Sequence, residues 1–238
     1  MARRTSTHVV VREVFGPEDP AVASAYDLLR RSFHHTERVS LAEWKSTLAE
    51  KASEVWTDLG WHLMVALKGR RVVGLATGTY IGSVNVGIIG YLAIDPVERA
   101  GGLGTRLRHR LRRAIARDAT MLTGRALGAI LGEVSATNPW IRTLARRPSV
   151  LVLDFPYYQP RLHRGDDPSP FLLYYETVDG PPRTYLPASE LRRVLYAVWR
   201  RGYRIARPLE RPAFRAMLRA LAGRRRITAV KLSDANQP

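Results

Sequence analysis

The chain has 238 residues, 45% of them hydrophobic, enough to bury one substantial core with an appendage. It has no cysteine, which excludes disulfides, thiol nucleophiles and Cys-based metal sites and makes a cytoplasmic protein the default expectation. The formal charge of +17 comes almost entirely from Arg, with Lys only at positions 45, 51, 68 and 231, and it fits solvated basic faces as readily as a site for a polyanion. No apolar run has the length of a membrane span, and polar residues rather than a signal core follow Met1-Ala2-Arg3-Arg4.

In chain order, a strand is expected from Val9, then helices over residues 21–33 and 41–59. Residues 61–67 and 71–80 read as a hairpin turning at Lys68-Gly69-Arg70. Residues 81–94 are apolar and β-branched enough for one buried strand, which must stop at Pro96 because proline gives a ladder no N–H. Gly101, Gly102 and Gly104 then permit backbone angles and close ligand approach that a Cβ would block. From Leu103 the chain turns helical, with Leu103, Leu107, Leu111, Ala114 and Ile115 on one face.

Strand, glycine turn and helix start together make an anion site. The first amides of a helix have no internal partner, and the helix dipole favours a phosphate in front of them. A Rossmann fingerprint does not fit, because the pattern here is R-x-x-G-x-G and residues 116–127 supply no strand ending in a ribose-binding acid. A Walker loop does not fit either, because Gly104 is followed by Thr105-Arg106 rather than by Lys and a hydroxyl residue. Arg106, Arg108, Arg110, Arg112 and Arg113 add positive charge along the same helix.

Residues 127–134 form the next expected strand, Ser135-Ala136-Thr137 a turn, and Asn138-Pro139 a helix start with Asn138 as N-cap. Trp140, Ile141, Leu144 and Ala145 give that helix a buried face, and residues 150–155 and 171–178 follow as strands. Residues 160–170 read as a long loop. After Gly180-Pro181-Pro182, two short amphipathic helices present Leu191, Val194, Leu195, Val198 and Trp199, then Phe214, Met217, Leu218 and Leu221. Neither is long enough to fold alone, so they pack on the core, on a second subunit or over a cleft. The domains expected are 1–180 and a basic helical extension, 181–238.

Ile94-Asp95-Pro96 followed by Arg99-Ala100-Gly101-Gly102-Leu103-Gly104 resembles the central motif of the GNAT superfamily of acyl-CoA-dependent N-acyltransferases, a strand ending V-x-P, then (Q/R)-x-x-G-x-(G/A), then a helix. The order of elements over residues 8–178 resembles it too. The resemblance implies a mixed, mostly antiparallel central sheet flanked by helices, here with a C-terminal helical extension. It implies acetyl-CoA as co-substrate, no metal, and an amine acceptor, small molecule or protein. Main-chain groups of Leu92, Ala93 and Ile94 would serve the pantetheine arm and the oxyanion. Arg99, Ala100, Gly101, Gly102, Leu103, Gly104 and Thr105 would serve the diphosphate; the next strand would diverge to leave a slot for the pantetheine arm and lead into a helix that begins at Asn138, a further cofactor-binding residue. Phe33, Glu37, Arg38 and Trp44 occupy the part of the fold that walls the acceptor site.

Glu133, five residues before Asn138, matches the spacing of a base-like Glu in family members that acetylate protein N termini. A carboxylate on an apolar strand has a raised pKa and makes a serviceable base, although the same Glu also suits a strand anchor or an arginine partner. The family's tyrosine acid, seven residues after the Asn, is replaced by Ala145, and Tyr157 and Tyr158 are the nearest substitutes; they also suit an acceptor pocket or packing. His62 and His109 read as structural or solvated. A non-catalytic CoA-binding module and a basic nucleic-acid or ribosome-associated protein stay open as alternatives, as does a homodimer.

Overall fold

The computed structural model describes residues 8–163 and 167–231, so residues 164–166 of the expected 160–170 loop lie outside the described residues. Two compact units emerge, Met1–Tyr80 with Ile89–Thr123, and Ile81–Ile88 with Gly124–Pro238.

In the first unit β1 (Val9–Val14) pairs antiparallel with β2 (Leu59–Lys68), from Val9 opposite Lys68 to Val14 opposite Leu63. Between them lie α1 (Ala21–Ser32) and α2 (Leu41–Ala52). α1 buries Ala21, Val22, Ala25, Leu28 and Leu29, the single stripe that 3.6-residue periodicity produces. α2 opens with Ser40, whose side chain accepts from the Glu43 N–H at 3.1 Å. α2 was expected to reach residue 59; it stops at Ala52, where Glu54 turns to a left-handed φ of 51°. β3 (Arg71–Ile81) and β4 (Val86–Ile94) complete the strand order β1-β2-β3-β4. The expected strand 81–94 is interrupted: Gly82–Val84 form a 3-10 turn closed by Asn85 in the left-handed region, its N–H on the Gly82 carbonyl at 3.2 Å. α3 (Leu103–Thr123) follows, and both α2 and α3 pack on β2. Trp44, Leu48, Leu63, Val65, Leu75 and Ala93 are among the residues that fill the core between these elements.

In the second unit β5 (Ala129–Val134) leads to α4 (Trp140–Ala145), β6 (Val150–Val152), β7 (Tyr157–Gln159) and β8 (Ser169–Thr177). β5, β6 and β7 all pair antiparallel with β8. The expected strand 150–155 ends early, at Val152: the chain bends at Asp154, whose N–H bonds the Thr228 carbonyl at 2.9 Å, and Tyr157 and Tyr158 belong to a separate strand. α4 starts one residue later than expected, with Pro139 rather than Asn138 at the cap, and the Asn138 side chain accepts from the Trp140 N–H at 3.0 Å.

The tail adds β9 (Tyr185–Pro187), α5 (Ala188–Ala197), α6 (Pro212–Ala220) and β10 (Arg226–Thr228), with β9 and β10 paired antiparallel. Its apolar stripes turn inward within this unit: Leu191, Leu195, Trp199, Phe214, Met217 and Leu221 are at most 1% exposed. Each such side chain contributes about 1.5–3 kcal/mol of burial. Trp199 and Phe214 meet with ring centroids 5.1 Å apart, and Leu153 bridges Ala229. α5 does not run straight on: Val198–Gly202 form a π-helical turn, closed by the Tyr203 N–H on the Val198 carbonyl at 2.9 Å.

Candidate active site

The first unit builds the glycine turn. β4 ends at Ile94, and the Asp95 N–H bonds the Val73 carbonyl at 2.9 Å, so the chain leaves the sheet at Pro96. A single 3-10 turn, Pro96–Glu98, follows, with the Asp95 side chain accepting from the Val97 N–H at 3.2 Å. Glu98 ties the turn to the β2–β3 hairpin through Lys68 at 2.8 Å and Arg71 at 3.3 Å. The Arg99 Nε–H reaches back to the Ile94 carbonyl at 3.4 Å.

Ala100 and Gly102 then take left-handed φ values of 69° and 71°. For alanine that conformation costs on the order of 1 kcal/mol, strain that the surrounding anchors must maintain. A Cβ added at Gly101 or Gly102 would meet no protein atom within 4 Å, so the face of the turn is open. Leu103 is buried at the first turn of α3, and the Arg106 N–H bonds the Gly102 carbonyl at 3.1 Å. The amides ahead of Arg106 are left without intrahelical partners.

Among the arginines expected to line this helix, Arg106 and Arg108 are otherwise engaged. Arg106 donates to the Val9 carbonyl at 2.9 Å, and Arg108 is only 6% exposed within the apolar stripe. The expected acceptor wall also differs. Trp44 is a core residue, 2% exposed, edge-on to Tyr26 and Trp61. Tyr91, which periodicity alone does not single out, organises this segment instead. Its hydroxyl donates to the Glu37 carbonyl at 2.9 Å and accepts from the Val39 N–H at 3.2 Å, while its ring meets Phe33 edge-on.

His62, 2% exposed, lies between two carboxylates, with Nδ1 2.6 Å from Glu13 and Nε2 2.7 Å from Asp118. Lys51 closes on the same Glu13 oxygen, and Arg117 stands 3.7 Å from the other. Burial pushes the Glu13 carboxyl up, but the hydrogen bonds and charges of His62 and Lys51 outweigh it and take the group down to about 2. Burial opposes a charge on His62, yet the bonds to Asp118 and Glu13 win and raise its pKa. These groups form a structural ion cluster, as the sequence led one to expect of a buried histidine.

The second unit holds Glu133, on β5 opposite Leu173 of β8. Tyr157 of β7 donates its hydroxyl to Oε1. The Tyr203 hydroxyl, from just past the π-helical turn, lies 2.7 Å from Oε1 and 2.6 Å from Oε2. Gln159 Nε2 in turn reaches the Tyr203 oxygen at 3.3 Å. Burial dominates the titration: it raises the Glu133 carboxyl to about 7, although both phenols act to lower it. Burial and the Glu133 charge raise Tyr157 well above the ordinary phenol value, so it stays protonated and serves as a donor.

Of the expected catalytic residues, Glu133 and Tyr157 are thus joined. Tyr158 alternates to the other face of β7, its own N–H toward Met217 Sδ at 3.5 Å. Tyr203 was missed by sequence reasoning, since it lies 70 residues from Glu133 and outside every expected element.

No family model matches the chain, and no curated protein matches it in sequence. Among solved structures it is similar to a protein assigned to the GNAT acetyltransferases from Bacteroides thetaiotaomicron. That likeness has a TM-score of 0.58 at 18% identity and covers 82% of this chain and 99% of that one. A ribosomal-protein-alanine N-acetyltransferase from Brucella melitensis overlaps with a TM-score of 0.49 at 16% identity, over 71% and 99% of the two chains. The PaiA N-acetyltransferase from Thermoplasma acidophilum, solved with coenzyme A, overlaps with a TM-score of 0.47 at 11% identity, over 72% and 99%. The chain has the fold of the GNAT acetyltransferases, a mixed, mostly antiparallel sheet flanked by helices.

Proposed function

We propose that this chain is an N-acyltransferase that moves an acetyl or other short acyl group from CoA to a primary amine. The observation that carries the reading is the turn after β4. There a proline-terminated strand, left-handed Ala100 and Gly102 and the unpartnered first amides of α3 surround open space on a GNAT fold. Such a turn suits a diphosphate, which needs bare backbone and donors rather than side chains. The amides of residues 100–105 would hold the diphosphate, with Arg99 beside them. Main-chain groups of Leu92, Ala93 and Ile94 would take the pantetheine arm and the oxyanion, and Asn138 would be a further cofactor-binding residue.

The chemistry asks for one proton acceptor. An ammonium cannot attack a thioester, so its proton must leave before nitrogen bonds the carbonyl carbon and the carbon–sulfur bond breaks; the departing thiolate then takes up a proton. Glu133, titrating near neutrality, suits the role of base: it is ionised often enough to accept and basic enough to do so. Tyr157 holds it as a permanent donor. Ala145 offers no acid, and a thiolate is a good enough leaving group to go without one.

Calorimetric titration with CoA, followed by mass-spectrometric screening of amine pools with acetyl-CoA, tests the reading. Gly101→Val introduces a side chain where the protein itself has nothing within 4 Å of the Cβ position, so its fold should be intact while CoA affinity falls at least tenfold. Unchanged affinity would remove the phosphate role of the turn. Tight CoA binding with no amine ever acetylated would favour a CoA-binding module.

A further inference from the structure

We propose that Tyr203 is a positioning residue for Glu133, so that the helical extension is part of the catalytic machinery rather than an appendage to it. This rests on Glu133 acting as the base. A phenol has one hydrogen to give, and the Tyr203 oxygen lies within 2.7 Å of both carboxylate oxygens. Gln159, donating to that oxygen from β7, occupies its accepting side and leaves its own hydrogen to the acceptors it faces, the Glu133 carboxylate and the Tyr157 oxygen. Tyr157 fixes Oε1 from β7, so two phenols on separate elements clamp the carboxylate.

The extension is shaped to deliver this hydroxyl. In a straight helix residue 203 would continue the α5 register. The π-helical turn Val198–Gly202 inserts a wider loop, with Trp199 buried against Phe214 of α6, and the chain then runs on through Tyr203. Arg204, next in line, takes a left-handed φ of 55°, which ends the helical path. π turns are rare and occur frequently at functional sites, and this one places a partner of the Glu133 carboxylate.

A merely structural tyrosine and a positioning one differ in what they do to a titration. Among the groups packed around Glu133, Leu173 on β8 is apolar, Tyr157 and Tyr203 donate, and Gln159 acts through Tyr203. Both donors favour the ionised carboxylate. Tyr203→Phe removes only an oxygen, and the carboxyl should then titrate about one unit higher. At pH 7 the ionised fraction, and with it turnover, falls by about fivefold, and much of the loss returns at high pH.

The experiment has two arms on the full chain. The first follows the Glu133 carboxyl by carbon NMR with pH in wild type, Tyr203→Phe and Gln159→Leu, assigning its signal by its loss in Glu133→Gln. Both variants should raise the titration, Gln159→Leu by less; an unchanged or lowered value in a folded variant overturns the proposal. The second arm follows acetyl transfer with pH, expecting the acidic limb to move upward with KM for acetyl-CoA unchanged. If wild type acetylates no amine while the NMR shift appears, the base assignment fails and the clamp stands. If transfer is robust and the titration does not move, the clamp fails and the enzyme stands. Should Tyr203→Phe not fold, Gln159→Leu reads the same carboxyl through the same hydroxyl.

Discussion

Glu13 and Glu133 are the same side chain, both largely enclosed, and they titrate on opposite sides of the ordinary carboxyl value, at about 2 and about 7. Burial acts on both in the same direction. The difference lies in what else is present: Glu13 faces His62 and Lys51, whose charges stabilise an anion, whereas Glu133 faces two phenols, which donate hydrogen bonds without any charge. Neutral donors offset part of the desolvation and leave the rest. One unit therefore holds a carboxylate permanently ionised and locked into an ion cluster, and the other holds one poised near neutrality. A permanently charged carboxylate serves as a brace, whereas a poised one has the titration that a proton acceptor needs.

The sharpest way to break this contrast is to neutralise each carboxylate in turn. Glu13→Gln leaves His62 and Lys51 short of their anion and should destabilise folding by about 3–5 kcal/mol, read as a lowered denaturant midpoint. It touches no partner of Glu133, so the pH profile of acetyl transfer should be unmoved. Glu133→Gln should do the opposite, lowering turnover by on the order of a hundredfold with CoA affinity nearly intact. Loss of activity with loss of folding in that variant would return Glu133 to a structural role.

Stability against pH should divide the same way. Glu13 has its folded pKa depressed, so its contribution is complete above the ordinary carboxyl value and drains away as pH falls toward about 2. His62 has its folded pKa raised, so its contribution is complete below the ordinary histidine value and is lost as pH climbs through the raised one. Glu133, raised from 4.5 to about 7, works against the fold across that interval: the native state binds more protons than the unfolded chain, so stability declines as pH rises through it. Denaturant titrations from pH 3 to pH 9 should find this decline removed in Glu133→Gln and retained in Glu13→Gln.

The smallest effect expected is at Gly60. A Cβ there would fall 1.7 Å from the Asp118 Oδ2 that bonds His62, so Gly60→Ala must push the carboxylate aside and should cost about 1–3 kcal/mol. A neutral result would mean that Asp118 contributes little and that Glu13 carries the cluster alone.

Local pattern made much of this protein legible. Leu103, Leu107, Leu111, Ala114 and Ile115 are buried along α3 as their spacing requires, and proline and glycines mark the turn before it. Glu133, a lone acid among Ile130, Leu131 and Val134, stands out as a candidate base by that pattern together with its spacing from Asn138. Strand ends were less legible. Asn85 and Glu54 enter left-handed conformations that propensity alone does not locate, and the chain bends at Asp154 within a stretch whose apolar residues would continue the strand.

What sequence by itself determined, then, was the set of features carried within one or two turns or strands: the order of elements, the open turn at residues 99–105, and the carboxylate on β5. Tertiary structure alone decided the company each charged group keeps. Arg108 is buried rather than displayed, His62 sits between acids contributed from β1 and α3, and Tyr203 reaches a carboxylate 70 residues away. Hydrophobic periodicity reports which face of an element is buried, because that depends on neighbours three or four residues away. The partner of a buried polar atom depends on which distant segments the packed core brings within about 3 Å, and no local period records that.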